Sequence, residues 1–199
     1  MSPTRSRDSD PTDADLVVKA RGGNAFAFEE IVRRHQRRVY AVAMRVVRRH
    51  DVADDVTQEA FLRAYQAIDR FDTGRPFGPW ICRIAANLAV NHVRSPRARE
   101  DELPEDLHEE ASGQAPIDGL LEREAKEVLE QAMGHLPAEQ RAVFVLRTAE
   151  ELSYKEIAEA LDISIGTVMS RLSRAREKLR VTLGPYLNLS GGTAAEGNP

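Results

Sequence analysis

Polar side chains that can hydrogen-bond nucleic-acid bases recur on one face of the segment 165–182. At about 100° per residue, the helical period, this face and its edges carry Thr167, Ser170, Arg171, Ser173, Arg174 and Arg176. An apolar stripe of Val168, Leu172, Ala175 and Leu179 recurs on the other side. Hydroxyls and guanidinium groups can meet base edges, and flanking cations can reach phosphates. The pattern favours a DNA-reading helix over a solvated helix of a bundle.

A shorter helix directly before this one would have to position it. The residues from 152 to 183 are typical of two helices that are separated by a break at 162–164. A short helix, a three-residue turn and a longer basic helix together make the pattern of a helix-turn-helix. We therefore predict a helix-turn-helix that binds duplex DNA.

A second set of residues suits single-stranded DNA. Residues 69–79 are rich in Gly and Pro, which predicts a loop with exposed aromatic rings, and residues 79–94 predict a helix with an Asn- and Arg-bearing edge. The set consists of Phe71, Arg75, Phe77, Trp80, Arg83, Asn87 and Asn91. Amides, arginine and aromatic rings can hold an unstacked base. Core packing is the alternative for Trp80, and for that residue taken alone it is the better one.

Two predicted helices nearer the N-terminus carry charged faces. The segment 24–49 contains Arg33, Arg34, Arg37, Arg38, Arg45, Arg48 and Arg49. These arginines form either a solvated face or a contact with a polyanion, and the scarcity of acids nearby favours the contact. The helix that starts at Asp51 exposes Asp54, Asp55, Gln58 and Glu59. Its acids either complement the helix N-terminus or form a protein docking surface, and the residues leave both open.

Charges of opposite sign are segregated along the chain. The net charge of the 199 residues is −4. Residues 16–99 contain 16 Lys and Arg against 8 Asp and Glu, a net +8, whereas residues 100–124 contain 10 acids against one base, a net −9. A basic block and a basic terminal helix that flank an acidic link are typical of a nucleic-acid-binding protein.

Several classes of protein are disfavoured by composition. No apolar run approaches 18 residues and the N-terminus has no apolar signal segment, so we expect no membrane insertion and a cytoplasmic protein. The single cysteine, Cys82, excludes an intramolecular disulfide framework. Neither HExxH nor paired Cys/His spacing occurs, so we expect no metal, no cofactor and no enzymatic activity.

The predicted fold is all-α, with two small helical domains joined by a flexible acidic linker. We expect a disordered tail over 1–13, a helical bundle over 14–97 and the linker over 98–119. A four-helix domain with the helix-turn-helix follows over 120–187, and a disordered tail over 188–199.

Five segments in this order resemble a known family. They are FEEIVRRHQRRVY, DDVTQEAFLRAY, FGPWICRIAANLAVNHVR, LPAEQRAVFVLR and LSYKEIAEALDISIGTVMSRLSRAREKLR. Together they resemble the extracytoplasmic-function (ECF) group of bacterial sigma factors, the smallest members of the sigma-70 family. The resemblance covers nearly everything from about residue 14 to 187.

The resemblance implies a promoter-recognition function. The first domain would dock on the β′ clamp helices of core RNA polymerase through Asp55, Gln58, Glu59 and Phe61, and would open the minus-10 element. Its minus-10 readers would be the loop with Phe71, Arg75 and Phe77, and the helix with Trp80, Arg83, Asn87 and Asn91. The second domain would contact the β flap and read the minus-35 element through Thr167, Ser170, Arg171, Ser173, Arg174 and Arg176. An anti-sigma factor would be a further partner.

Gly78, Pro79 and Met169 depart from the family pattern, since many relatives carry a basic residue at the first and third of these positions. The alternative function is a stand-alone helix-turn-helix transcriptional regulator. That alternative leaves the segments around Gln58 and Trp80 without a role.

Overall fold

The structure of the chain is a computed structural model that describes residues 10–95 and 127–190, with side chains up to residue 186. Every regular element in these two ranges is a helix, which confirms the predicted all-α class. The predicted linker at 98–119 and most of both predicted tails lie outside the described residues.

The first group of helices is built around one long helix. Its elements are α1 (Asp13–Arg21), α2 (Ala25–Val47), α3 (His50–Gln66), a 3-10 turn (Ile68–Arg70) and α4 (Phe77–Arg94). Thr12 caps α1 in a capping box with Asp15. Asn24 caps α2, since its side chain accepts a hydrogen bond from the backbone N–H of Ala27.

The second group contains the four helices predicted for it. They are α5 (127–134, as far as it is described), α6 (Ala138–Thr148), α7 (Tyr154–Leu161) and α8 (Ile165–Ser190). Because α8 continues to Ser190 and includes Pro185, the prediction of a disordered tail from 188 is wrong for residues 188–190. The prediction for the first tail is wrong at its last residue, since α1 starts at Asp13.

Helix α2 packs against α1, α3 and α4 of its own group and against α6 of the second group. Its buried residues Ile31, Val39, Val42 and Val46 follow the helical period. Helix α4 in turn packs on α6 and α7. The two groups are therefore in direct contact, which the sequence did not predict.

Candidate nucleic-acid interface

The helix-turn-helix is formed as the sequence predicted. Helix α7 ends at Leu161 and α8 begins at Ile165, which leaves the three-residue break at 162–164. Val168, Leu172, Ala175 and Leu179 are all buried, the least buried of them 5% exposed. This confirms the apolar stripe, and its burial fixes which side of α8 faces away from the protein.

The outer face of α8 is polar and basic. Ser170, Ser173, Arg174 and Arg176 are exposed, whereas Thr167 and Arg171 are half-buried. The hydroxyl of Ser164 accepts a hydrogen bond from the backbone N–H of Thr167 at 3.1 Å, which caps the start of the helix. The Ser170 hydroxyl donates to the carbonyl oxygen of Thr167 at 3.0 Å. Short polar groups and cations therefore project from a helix whose start is fixed.

Helix α7 is held by a capping box that the sequence analysis missed. The hydroxyl of Ser153 accepts from the backbone N–H of Glu156 at 3.2 Å, and the Glu156 carboxylate accepts from the backbone N–H of Ser153 at 2.9 Å. The hydrogen bonds from Ser153, and then the cation of Arg83, lower the pKa of Glu156 below its ordinary value. Ser-x-x-Glu before an apolar run is the sequence signal that predicts this cap.

The loop aromatics are not exposed, and that prediction is wrong. Phe71 is 6% exposed and Phe77 is 1% exposed. Their rings lie 5.4 Å apart, and that of Trp80 lies 4.7 Å from the first and 5.3 Å from the second. The His35 ring lies 5.3 Å from that of Phe77. Because α4 begins at Phe77, this ring belongs to a helix that faces α2, and the three aromatic rings form a cluster under the loop.

Of the loop residues in the predicted set, Arg75 is exposed, with its Nε 3.6 Å from a carboxylate oxygen of Asp72.

The loop before Arg75 is attached to α1 by Arg21, which the sequence analysis did not single out. The Arg21 guanidinium donates to the carbonyl oxygen of Ile68 at 2.9 Å and to that of Phe71. An arginine in the last turn of α1 therefore holds the loop against the bundle.

The polar edge of α4 faces a cleft of about 410 Å³ between α3, α4 and α7. Trp80, Arg83 and Asn87 line this cleft. Asn91 is exposed and donates from its amide to the Asn87 amide oxygen at 3.1 Å. Arg83 is ion-paired with Glu156 of α7, and its Nε is buried without a hydrogen-bond partner. The structure thus brings these four predicted residues together, with the second helical group against one side of them.

The acidic face of α3 is exposed as predicted at Asp54, Asp55 and Gln58, and half-buried at Glu59. Phe61 is 7% exposed and packs edge-on to Phe28 at 6.5 Å, so its ring supports this face from below. The following turn supplies exposed apolar surface, namely Leu62 and Tyr65, which are 52% and 46% exposed.

Most arginines of α2 are paired with acids. Arg33 and Arg34 bind Glu30, and Arg49 just beyond the helix binds Asp51. Arg38 binds Glu150 and Arg45 binds Glu130, both in the second helical group. The sequence offered a solvated face or a contact with a polyanion for these arginines. Arg38 and Arg45 instead contact carboxylates of the same chain.

Two polar side chains are buried where the helical groups meet. Arg141 of α6 is 8% exposed and Glu150 is 5% exposed. Glu150 lies beside Cys82 of α4, which is also buried. Burial, and then the negative charge of Glu150, raise the pKa of the Cys82 thiol well above its ordinary range.

Within residues 10–95 and 127–190, no cluster of His, Cys, Asp and Glu could hold a metal ion. None of the helices in the described part of the chain is long and apolar enough to span a membrane.

Comparison with known proteins identifies the family. The Sigma-70 region 2 family matches residues 31–100, and the Sigma-70 region 4 family matches residues 126–179. The chain is 35% identical to the ECF RNA polymerase sigma factor SigW of Bacillus subtilis, over 84% of this chain and 94% of that protein. It is also 35% identical to the ECF RNA polymerase sigma-E factor of Haemophilus influenzae, over 88% of this chain and 97% of that protein.

The chain belongs to the ECF group of the sigma-70 family. It is an RNA polymerase sigma factor, with region 2 in the first helical group and region 4 in the second. The stand-alone regulator is not favoured, because both regions match in the order of a sigma factor.

Two solved structures share the fold. CnrH, solved in complex with the cytosolic domain of CnrY, is 29% identical with a TM-score of 0.56, over 87% of this chain and 97% of that chain. RpoE of Bartonella quintana, solved in complex with the anti-sigma factor NepR, is 26% identical with a TM-score of 0.59, over 79% of this chain and 96% of that chain.

Proposed function

We propose that this sigma factor directs core RNA polymerase to promoters by reading the minus-35 element with region 4 and the minus-10 element with region 2. The observation that carries the proposal is the two-sided α8: its apolar stripe is buried, so the face with Ser173 and Arg174 is the one turned outward. A helix of this kind fits the major groove of duplex DNA.

Minus-35 recognition is assigned to Thr167, Ser170, Arg171, Ser173, Arg174 and Arg176. Arg174 has the exposure and the donors to contact a guanine edge, and Arg176 on the flank suits a phosphate. The capped start of α8 would hold these groups in a fixed orientation toward the groove.

Minus-10 recognition is assigned to the loop before α4 and to the exposed edge of that helix. Arg75, Arg83, Asn87 and Asn91 would contact the non-template strand. Phe71 and Phe77 are buried, so they support the loop from beneath. Trp80 is half-buried and lines the cleft, so one edge of its indole is available to a base. Capture of a flipped base would offset the free energy of unpairing, on the order of a few kcal/mol.

Core polymerase is assigned to the acidic face of α3. Asp55, Gln58 and Glu59 would contact the β′ clamp helices, with Phe61 packed behind them, and region 4 would contact the β flap. The exposed Leu62 and Tyr65 supply the apolar part that a protein interface needs. Polymerase would hold both readers at promoter spacing, so two weak DNA contacts would combine through effective concentration.

An anti-sigma factor is the partner that would restrain this protein. RpoE of Bartonella quintana has been solved with the anti-sigma factor NepR, and this chain matches its fold over 96% of that chain. A stress or another signal would then release the sigma factor to polymerase. The sigma factor itself would act by binding alone, without catalysing a reaction.

Run-off transcription tests the proposal. Purified core polymerase and sheared genomic DNA are incubated with and without the chain. We expect discrete transcripts only when the chain is present, and their start points give the promoter sequence. Unchanged transcripts from a polymerase that binds the chain would refute the function.

A further inference from the structure

Four arginine–glutamate ion pairs join region 2 to region 4, and all four have the same orientation. Arg38 pairs with Glu150 at 2.9 Å, Arg45 with Glu130 at 3.3 Å and Arg94 with Glu139 at 3.0 Å. Arg83 pairs with Glu156 as well. In all four pairs the arginine belongs to region 2 and the glutamate to region 4. One surface is therefore cationic and the surface that covers it is anionic.

The anionic side is built into region 4. The side chain of Glu150 is only 2% exposed, and a buried carboxylate is costly unless a cation compensates it. The Arg38 guanidinium supplies that cation. One oxygen of the Glu156 carboxylate caps α7 while the other receives Arg83, so the helix cap aims this charge at α4.

Two glycines make room for the arginines that cross the interface. A Cβ at Gly78 would lie 2.9 Å from Nη1 of Arg38, and one at Gly134 would lie 2.9 Å from Cζ of Arg48. Arg48 donates from Nη1 to the carbonyl oxygen of Glu130 at 2.8 Å. A larger residue at either position would force the end of that arginine side chain to shift.

The covered surface includes residues proposed to read DNA. Arg83 is held by Glu156, and α7 forms one wall of the cleft that Trp80 and Asn87 line. Arg171 of the minus-35 set lies near Arg94 and Glu139, where burial, and then the charge of Arg94, lower its pKa. The Nε of Arg83 has no hydrogen-bond partner, so the contact does not use every donor of this side chain.

We propose that the glutamates of region 4 occupy the arginine surface of region 2 in place of DNA phosphates, so that the free chain is closed and DNA must displace region 4. The proposal rests on the proposed function for the identity of the competitor. Carboxylates and phosphates compete because both are anionic acceptors for guanidinium groups. Salt should weaken the closed form, because screening reduces the attraction between partly exposed charges.

Charge reversal tests closure. The variant Glu139→Lys/Glu150→Lys places two cations opposite arginines and leaves the cap of α7 intact. Its matched control, Glu29→Lys/Glu127→Lys, makes the same change in charge at two exposed positions outside the four pairs. Gly134→Ala tests closure without any change in charge, and circular dichroism verifies that each variant retains its helices.

Small-angle X-ray scattering measures closure directly. We expect the radius of gyration of the double variant to rise by about a fifth or more, since two separate domains replace one compact body. The radius of gyration of Gly134→Ala should rise as well, and that of the control should match the wild type. Unchanged scattering from both interface variants, with their helices retained, would overturn the proposal.

Competition is measured with a fluorescein-labelled 12-mer of single-stranded DNA that carries the minus-10 sequence from the run-off transcripts. Without polymerase, we expect the double variant to bind it at least tenfold more tightly than the charge-matched control. If the double variant opens but does not bind the DNA more tightly, the proposed competition between region 4 and DNA is overturned. The scattering readout is independent of run-off transcription by the wild type, so a chain that closes but never supports transcription would refute the proposed function alone.

Discussion

Arg141 of α6 donates from Nε and Nη2 to the carbonyl oxygen of Val46 in the last turn of α2, at 3.1 and 2.7 Å. Its Nη1 donates to the carbonyl oxygens of Gly134 and Leu136 at 3.2 and 2.9 Å. Burial, and then the nearby charge of Arg48, lower the pKa of Arg141 to about 10, so it stays cationic at neutral pH. One side chain thus closes a helix end in region 2 and the α5–α6 connection in region 4.

Replacing Arg141 should destabilise the protein. Arg141→Met keeps much of the side-chain volume but removes the donors that three carbonyl groups share, and we expect a loss of about 3 kcal/mol or more in the free energy of unfolding. Urea denaturation followed by circular dichroism measures it. Arg174→Met, at an exposed position, should stay within about 0.5 kcal/mol of the wild type. Equal effects of the two variants would contradict the role of Arg141.

Binding to core polymerase should weaken when the polar side chains of the α3 face are removed. Asp55→Ala/Gln58→Ala removes one acid and one amide from this exposed face, and we expect affinity to fall roughly tenfold, which is 1.4 kcal/mol. Glu29→Ala/Gln36→Ala removes the same two groups from exposed positions on α2. Pull-down of core polymerase at a series of concentrations compares them. A double variant of α3 that binds as the control does would count against this docking surface.

Minus-35 reading should depend on Arg174. Arg174→Ala should reduce transcription roughly tenfold from promoters that need their minus-35 sequence, because a guanidinium–base contact is worth about 1–3 kcal/mol. Arg180→Ala removes an arginine two turns further along α8 that pairs with Glu177 at 2.8 Å, and it should have little effect. In vitro transcription with a fixed minus-10 sequence provides the measurement. Equal losses for both variants would indicate a general charge effect instead of base reading.

Minus-10 reading should depend on Asn87. In Asn87→Ala we expect the ratio of transcription from an intact minus-10 element to that from a substituted one to fall several-fold, since an amide contact to an unpaired base is lost. Gln66→Ala, which removes an exposed amide at the end of α3, is the control. A ratio that stays at the wild-type value would remove Asn87 from the set of readers.

Acid should weaken the folded state through Glu156. Its pKa is lowered in the folded protein, so its contribution is fully present above the ordinary value of 4.5 and is lost as the pH falls through the lowered value. Glu156→Gln keeps the hydrogen bonds of a capping box but removes the charge, so the free energy of unfolding should depend less on pH in that window. Glu159→Gln, one turn along the same helix, makes the same chemical change outside the cap. Identical pH profiles for the wild type and Glu156→Gln would refute this linkage.

Local periodicity predicted most of the fold, whereas the loop prediction from Gly and Pro content gave the wrong exposure for part of the site. The stripe of α8 and the break at 162–164 follow from apolar spacing and turn length alone, and both are confirmed. Phe71 and Phe77 follow a different rule, because Gly and Pro content predicts a loop but not which rings fold under it. Their burial depends on His35 and Trp80, which approach only in three dimensions.

The contact between regions 2 and 4 was not predictable in the same way. Arg38 and Glu150 are separated by 112 positions in the chain, and each alone is compatible with an ordinary solvated charge. The excess of arginine on α2 did indicate an anionic partner, but a single sequence does not tell whether that partner is nucleic acid or another part of the chain. Gly78 and Gly134 acquire their meaning only beside the guanidinium groups that they admit.

The buried thiol of Cys82 gives this protein a chemical probe of how often regions 2 and 4 separate. It is the one cysteine in the chain, and its raised pKa keeps it protonated and slow to react at neutral pH. Glu150 covers it from region 4, so each separation of the two regions would uncover the sulfur for a short time. The rate at which a maleimide labels the unmodified wild type should then report how often the regions separate. A bound anti-sigma factor, DNA or polymerase should each change that rate by a different amount.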